Sequence, residues 1–369
     1  MELRVIEIAP LYKWASGPVT VLCGVVEQLV KKGIEISIYS PENHNSELAG
    51  VFADLGVEVF SDYHRLCLEL SRCHLVHFHG AFNLRFVPIS RECKRSQTRY
   101  LISPHGNLMP GALAYHRLRK QVARCTILRP YLEGAIGYHA LTVEERDAIY
   151  RLYHRAKVTV IPNGIKPFKE SIGKSVGYEA DDDVRIIGFL GRIDIRHKGL
   201  DLLLEAVSRV SDELHGYNTK VLIAGPFKNA SDERTFRRLL VGDGSGVVQY
   251  VGPQYGADKD RFLKKCDVFI HTSRYEGMPM AVLEAMARGI PSVVTEETNM
   301  GDVLRSAKAG LVCSGSVESI AEGLLEVCRM EKAKLQQMGE NAKRWVIENL
   351  AWSAVADRYL EMYNDYTGN

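Results

Sequence analysis

The sequence predicts an α/β protein made of two doubly wound domains, each a parallel sheet with helices on both faces. Three observations predict it. Short apolar strand patterns alternate with amphipathic helical ones along nearly the whole chain. That alternation pauses once, over Gly164 to Asp183. The 369 residues, 46% of them hydrophobic, exceed one typical domain and supply two cores.

Each element follows in order. Arg4–Ile8 reads as a strand, Val19–Lys32 as a helix stopped by Gly33, and Ile34–Tyr39 as the next strand. Leu75–His79 and Arg99–Ser103 continue a βαβ order that requires parallel strands. From Lys166 through Gly177 to the three aspartates ending at Asp183 there is no apolar periodicity, so 166–183 is read as a linker between domains 1–165 and 184–350. The βα order then resumes with strand Val184–Leu190, helix Leu200–Ser211, strands Lys220–Ala224 and Val247–Val251, and helix Lys259–Lys265. Strand Val268–His271, helix Ala281–Arg288 and strand Ser292–Thr295 follow, and an amphipathic helix occupies about 352–366.

Composition narrows the setting. The first residues form a charged strand rather than a signal peptide, and no run of eighteen apolar residues occurs, so neither signal-directed export nor a membrane span is expected. Eight cysteines without a Cys-x-x-Cys pair fit free, largely buried thiols in a reducing, cytoplasmic compartment. The net charge of +2 conceals an asymmetry: residues 1–167 hold 21 Lys and Arg against 15 Asp and Glu, whereas the remaining 202 carry −4. Much of the basic excess lies in 116–129, where Arg117, Lys120 and Arg124 share a side and Leu118, Val122, Ile127 and Leu128 supply apolar surface. Such a helix packs on its own domain or makes peripheral contact with anionic membrane on the inner face. Nucleic acid is not expected, because aromatic interleaving is absent.

Two motifs carry the chemistry. In Glu276-Gly-Met-Pro-Met-Ala-Val-Leu-Glu284, Pro279 suits a helix's first turn, while Gly289 and Pro291 end that helix. Glu276 is thereby placed in the preceding loop and Glu284 about two turns inside. Their carboxylates reach different parts of an elongated ligand whose anionic centre rests on the helix N-terminus around Met278, Pro279, Met280 and Ala281. In Gly191-Arg-Ile-Asp-Ile-Arg-His-Lys-Gly199, Arg192 offers a planar fork for phosphate and Lys198 a point charge, in a basic loop between strand and helix. A diphosphate needs such cations, and a nucleotide-sugar has the matching shape.

Other positions carry weaker signals. His74, His77 and His79 crowd one strand without a carboxylate or further histidine at close ligand spacing, so no metal is assigned. His79 and Asn83 follow a strand end and are acceptor-side candidates, and His105 stands in the same relation to its own strand. Gly242-Asp-Gly-Ser-Gly246 precedes a strand instead of following one and is not a dinucleotide fingerprint.

Together with Ser103-Pro-His-Gly106, Val160-Ile-Pro-Asn-Gly164 and Glu284-Ala-Met-Ala-Arg-Gly-Ile-Pro291, these motifs resemble the retaining glycosyltransferases of the large GT-B-fold family 4. The resemblance spans nearly the whole chain, specifically in the second half and more loosely in the first. It implies a GT-B fold, two Rossmann-like domains facing a cleft, with the C-terminal helix crossing back to the first. It implies a hexosyltransferase that needs no cofactor or metal, because Arg192 and Lys198 neutralise the diphosphate. Glu284 would hold ribose hydroxyls, Glu276 sugar hydroxyls, His105 the donor sugar, and the backbone at Gly17 would approach the phosphate. A uridine donor such as UDP-glucose is favoured, with a glycan or lipid-linked acceptor in cell-surface polysaccharide biosynthesis. Inverting relatives carry a histidine base where this chain has Lys13 and Trp14. The alternatives left open are a nucleotide-sugar epimerase or phosphorylase of this architecture, or a non-catalytic nucleotide-sugar-binding subunit.

Overall fold

A computed structural model describes residues 3–11, 17–42, 46–166 and 183–368, without the side chains of 242 and 243. The chain separates into two compact units, Met1–Gly164 with Leu350–Asn369, and Ile165–Asn349. Apart from its two end residues, the linker expected over 166–183 lies outside the described residues, as do Lys13 and Trp14.

Unit 1 is a seven-stranded sheet of β1 (Arg4–Ile8), β2 (Glu35–Tyr39), β3 (Glu58–Phe60), β4 (Leu75–His79), β5 (Arg99–Ser103), β6 (Gly137–Ala140) and β7 (Val158–Val160). Every pairing is parallel, in the order β3-β2-β1-β4-β5-β6-β7. Val5, Ile6 and Ile8 on β1 and Leu75, Val76 and Phe78 on β4 are buried in the core, and the buried Glu7, His77 and His79 interrupt these apolar positions. The C-terminal helix Trp352–Thr367 belongs to this unit. Its Trp352 ring lies so close to the backbone at Gly24 and Gly164 that a Cβ at either would overlap the indole.

Unit 2 repeats the plan with β8 (Arg185–Leu190), β9 (Thr219–Ala224), β10 (Val248–Tyr250), β11 (Val268–His271), β12 (Ser292–Thr295) and β13 (Gly310–Cys313), ordered β10-β9-β8-β11-β12-β13 and again all parallel. In each sheet the strand order reverses at one place, between β1 and β4 and between β8 and β11. Parallel sheets hold ligands beyond the carboxyl ends of their strands at such a switch point. His79 ends β4, Arg192 follows β8, and Glu276 follows β11. All eight cysteines are free, four of them buried and Cys125 exposed. No described helix is long and apolar enough to cross a membrane.

Candidate functional site

In unit 2 the two motifs are stitched together by the backbone. Asp194 caps a single helical turn, Ile195–Lys198, by accepting from the His197 amide at 3.2 Å, so Lys198 ends a helix instead of lying in the expected loop. Gly199 follows at φ +61, and a Cβ there would run into the Thr272 carbonyl oxygen. Only glycine permits both the left-handed backbone and that approach. The Arg274 amide donates to the His197 carbonyl at 2.9 Å, and the Arg274 guanidinium grips Asp201 through both nitrogens at 2.7 and 2.8 Å. Thr272 Oγ1 donates to the Lys198 and Gly199 carbonyls at 3.1 and 3.2 Å.

These bonds bring Lys198 Nζ within 2.5 Å of Glu276 Oε1, with both side chains largely buried. The same oxygen accepts from Ser273 Oγ at 2.7 Å and lies 3.2 Å from His271 Nε2. Burial pulls the Glu276 carboxyl upward, but Lys198, His271 and His197 together hold it well below the usual range. Among the described residues the side-chain contacts of Glu276 all fall on Oε1, and Oε2 is the oxygen that could accept from a ligand hydroxyl. Asn299 Nδ2 fixes the loop by donating to the Glu276 carbonyl at 2.7 Å. Burial lowers His197 to about 4, so its neutral ring donates from Nε2 to the Tyr275 carbonyl and stacks on the Tyr275 ring.

The helix after this loop is Met280–Ala287, with Pro279 as its N-cap and no side-chain cap. Pro279 thus stands one residue outside the first turn expected to contain it, and Glu284 is the fifth helical residue, little more than one turn in. The extended backbone of Pro279 starts the helix later than a proline at the first helical position would. Among the described residues the Met280 and Ala281 amides have no hydrogen-bond partner, and Met278 is buried beneath them. Two open amides at a helix start attract an anion. Arg192 is 55% exposed, with Asp194 3.7 Å away, so its fork remains available. Glu284 is paired with Lys259 at 2.8 Å. Lys259, Ser273, His271 and Asn299 are residues around the site that sequence reasoning missed; spacing alone does not show that the three segments carrying them converge.

In unit 1, Gly17 is the exposed first residue of the helix Gly17–Lys31, and residues 12–16 before it lie outside the described residues. Asn83, an acceptor-side candidate, uses Oδ1 to accept from the Arg85 amide at 3.0 Å in the turn before the next helix. His79, the other acceptor-side candidate, is buried, with Nε2 2.7 Å from Glu7 Oε2 and Nδ1 2.9 Å from His105 Nε2. Glu7 is the carboxylate that strand spacing did not reveal, because it arrives from β1. Tyr363 donates to Glu7 Oε1 at 2.8 Å and lies equally close to His77 Nδ1, and Ser103 links His77 to His139 at 2.7 and 2.6 Å. Glu7, His77 and His79 bring ligand-type atoms together; His79 Nε2 stands at hydrogen-bonding distance from Glu7 Oε2, 2.7 Å, and His77 Nδ1 lies 3.4 Å from the same oxygen.

Burial pushes His77 and His105 well below 6.5 and His139 to about 4. The unfolded chain binds protons at these sites that the fold rejects, so their contribution to stability is complete above about pH 6.5 and is lost as pH falls toward 4. For His139 alone this is about 3 kcal/mol. Urea midpoints at pH 7.5 and 5.0 check it, with the lower midpoint expected at pH 5.0 and an unchanged or higher one contradicting it.

The basic stretch 116–129 is broken. A helix runs Arg117–Cys125, a turn follows, and a second short helix begins at Arg129. None of the first helix's residues is buried; Leu118 and Val122 are 78% and 62% exposed and Ile127 is 57% exposed, whereas Leu128 is buried. Lys120 turns inward to the Ala112 carbonyl at 2.6 Å.

The sheets and this cationic, amide-lined site define a class: Rossmann-like α/β proteins of two units, the second equipped to take an anionic ligand. The glycosyl transferases group 1 model matches residues 170–345 and the glycosyltransferase family 4 model residues 15–167. The chain belongs to this family of GT-B glycosyltransferases. An uncharacterised glycosyltransferase of Methanocaldococcus jannaschii is 29% identical over 56% of this chain and 54% of its own length. The phosphatidyl-myo-inositol mannosyltransferase of Mycobacterium leprae is 26% identical over 64% and 61%. The chain thus spans only about half to three-fifths of the length of these curated relatives. Among solved structures, Anabaena HepE with UDP and glucose covers 99% of this chain and 100% of its own at TM-score 0.77 and 14% identity, a likeness of fold.

Proposed function

We propose that the protein is a retaining glycosyltransferase that moves a hexosyl group from a UDP-sugar, UDP-glucose first among candidates, to a glycan or lipid-linked acceptor in cell-surface polysaccharide biosynthesis. The observation that carries this reading is the Lys198–Glu276 pair beside two open helix amides and an accessible Arg192. Arg192, Lys198 and the Met280 and Ala281 amides stabilise the charge that builds on the departing diphosphate, so no metal is required for it. Glu276 Oε2 holds a sugar hydroxyl, Glu284 the ribose, and the leaving phosphate takes the acceptor's proton on the face it departs from. The family resemblance implies His105 as a contact of the donor sugar. HepE was solved with UDP-glucose, which supports the choice of first donor. Incubation with UDP-glucose and short glycan or polyprenyl-linked acceptors tests the reading: a product keeping the donor's anomeric configuration by proton NMR is expected. An inverted product, or one formed only with free phosphate, would overturn it.

A lipid-linked acceptor also suits the exposed helix Arg117–Cys125, where Leu118 and Val122 stand four residues apart, on one face, beside Arg117 and Arg119. We assign this helix to the surface of an anionic membrane on the cytoplasmic side. Leu118→Asp with Val122→Asp is expected to cut sedimentation with phosphatidylglycerol vesicles at least tenfold and leave UDP binding intact, since inserting each apolar side chain contributes roughly 1.5–3 kcal/mol. Equal sedimentation of variant and parent would contradict the assignment.

A further inference from the structure

Two carboxylates with no part in donor binding are buried in unit 1, Glu7 at 1% exposure and Glu145 at 0%. Both act on the segment that carries His105. Glu145 accepts the Gly106 amide at 2.5 Å through one oxygen and the Leu141 amide at 2.8 Å through the other, so it clamps the turn in which His105 takes φ +51. Glu7 acts on the ring itself, through His79.

Hydrogen-bond accounting fixes the direction of that chain. At its far end the Ile161 carbonyl can only accept, so His139 carries a proton on Nε2. Ser103, Tyr359 and Tyr363 have one hydroxyl proton each to share among His139, His77 and Glu7. Tyr363 donates to Glu7 Oε1, and Glu7 Oε2 is left as an acceptor. His79 accordingly donates to it from Nε2. In the tautomer with its single proton on Nε2, His79 presents a bare Nδ1, which accepts from His105 Nε2–H at 2.9 Å. His105 is left with an unprotonated Nδ1, and that atom has no partner among the described residues.

We propose that Glu7 is a positioning residue for the transfer: through His79 it locks His105 into the tautomer whose Nδ1 accepts a hydrogen bond from a hydroxyl of the donor sugar. This rests on the reading that His105 meets the sugar. It also narrows the substrate, because a sugar bearing a carboxylate at that position would set one acceptor against another. Gln at position 7 preserves the lock, with its carbonyl oxygen accepting from His79 and its amide donating to Tyr363, which then donates to His77. Leu at position 7 removes the acceptor and frees His79 to place its proton on Nδ1.

The experiment is a two-bond proton–nitrogen NMR correlation of the full chain at pH 7.5, with His105 assigned by the loss of its signals in His105→Asn. Wild type and Glu7→Gln are expected to show His105 Nδ1 unprotonated, and Glu7→Leu to show it wholly or partly protonated. In parallel, turnover of the donor should fall roughly 10–100-fold in Glu7→Leu, the range typical of losing an orienting partner, recover to within a few-fold in Glu7→Gln, and leave the Kd for UDP unchanged. A protonated Nδ1 in wild type overturns the proposal without any variant, and so does Glu7→Leu that folds, binds UDP and turns over like the parent. If wild type turns over no nucleotide-sugar, the proposed function fails, and the nitrogen shifts still decide whether Glu7 sets the tautomer.

Discussion

Lys198→Ala is expected to lower turnover by roughly two to four orders of magnitude, about 3–5 kcal/mol of lost transition-state stabilisation from a preorganised cation. The structure sharpens the reason. Lys198 stands 2.5 Å from Glu276, and both are largely shielded from water. The donor must therefore meet a lysine already held in place by a carboxylate, so little reorganisation remains when the diphosphate arrives. Removing the ammonium also leaves Glu276 without its main counter-charge, a loss that costs a buried pair about 3–5 kcal/mol. Two readouts separate these effects: steady-state kinetics for the chemistry, and urea unfolding for the orphaned carboxylate. Lys198→Ala with Glu276→Gln should regain much of the stability and none of the turnover. Unchanged turnover in the single variant would sink the diphosphate assignment.

The second large effect is expected at Gly199. Alanine there would have to adopt φ +61 and place its Cβ on the Thr272 carbonyl oxygen, so either the Lys198 turn or the β11 exit must move. The left-handed backbone alone costs about 1 kcal/mol and the displaced segment more, for a total of about 3 kcal/mol. For a unit of this size that lowers Tm by roughly 6–12 °C. UDP affinity should fall with it, because the same turn sets Lys198 against Glu276. A Gly199→Ala protein with parental Tm and UDP affinity would show that the close approach is dispensable. Gly216, at the end of the helix Ser211–Gly216, has open space around it, and Gly216→Ala is the control for a glycine replacement without a close approach.

The strands that carry the site were legible in the sequence because each is a buried apolar run ending at a motif: β1, β4, β5, β11 and β12 have the bounds their patterns predicted. The strands that escaped, β3, β6, β7 and β13, are three or four residues long, and Gly137-Tyr-His-Ala140 has no apolar run to find. Its His139 is polar and fully buried, a burial that only the Ser103 and Ile161 partners make tolerable. Arg192, Lys198, Glu276 and Glu284 could be named from spacing because each sits at a fixed offset from a strand end or helix start. Glu7 could not. It lies inside a strand, and its meaning depends on β4, β5 and the C-terminal helix converging on it from positions up to 356 residues away. The bonds of His79 were hidden for the same reason: strand-end position marked it as a ligand-face candidate, and its partners Glu7 and His105 come from other segments. The basic stretch, read as one helix over 116–129, breaks after Cys125; Lys120 is tied to the Ala112 carbonyl, and Leu118, Val122 and Ile127 are exposed.

The central claim is that unit 2 binds a nucleotide diphosphate through Lys198, Arg192 and the start of the helix Met280–Ala287, without metal. A thermal-shift series with UDP, GDP, ADP and their common sugar conjugates at about millimolar concentration in EDTA tests it most directly, because a ligand that binds only the native state at a hundred times its Kd adds about 2.7 kcal/mol of stability. The account predicts that the nucleotides of one base, uridine first, raise Tm by several degrees in the parent and leave Lys198→Ala unmoved. A parent that responds to no nucleotide, or only when magnesium replaces EDTA, would contradict it.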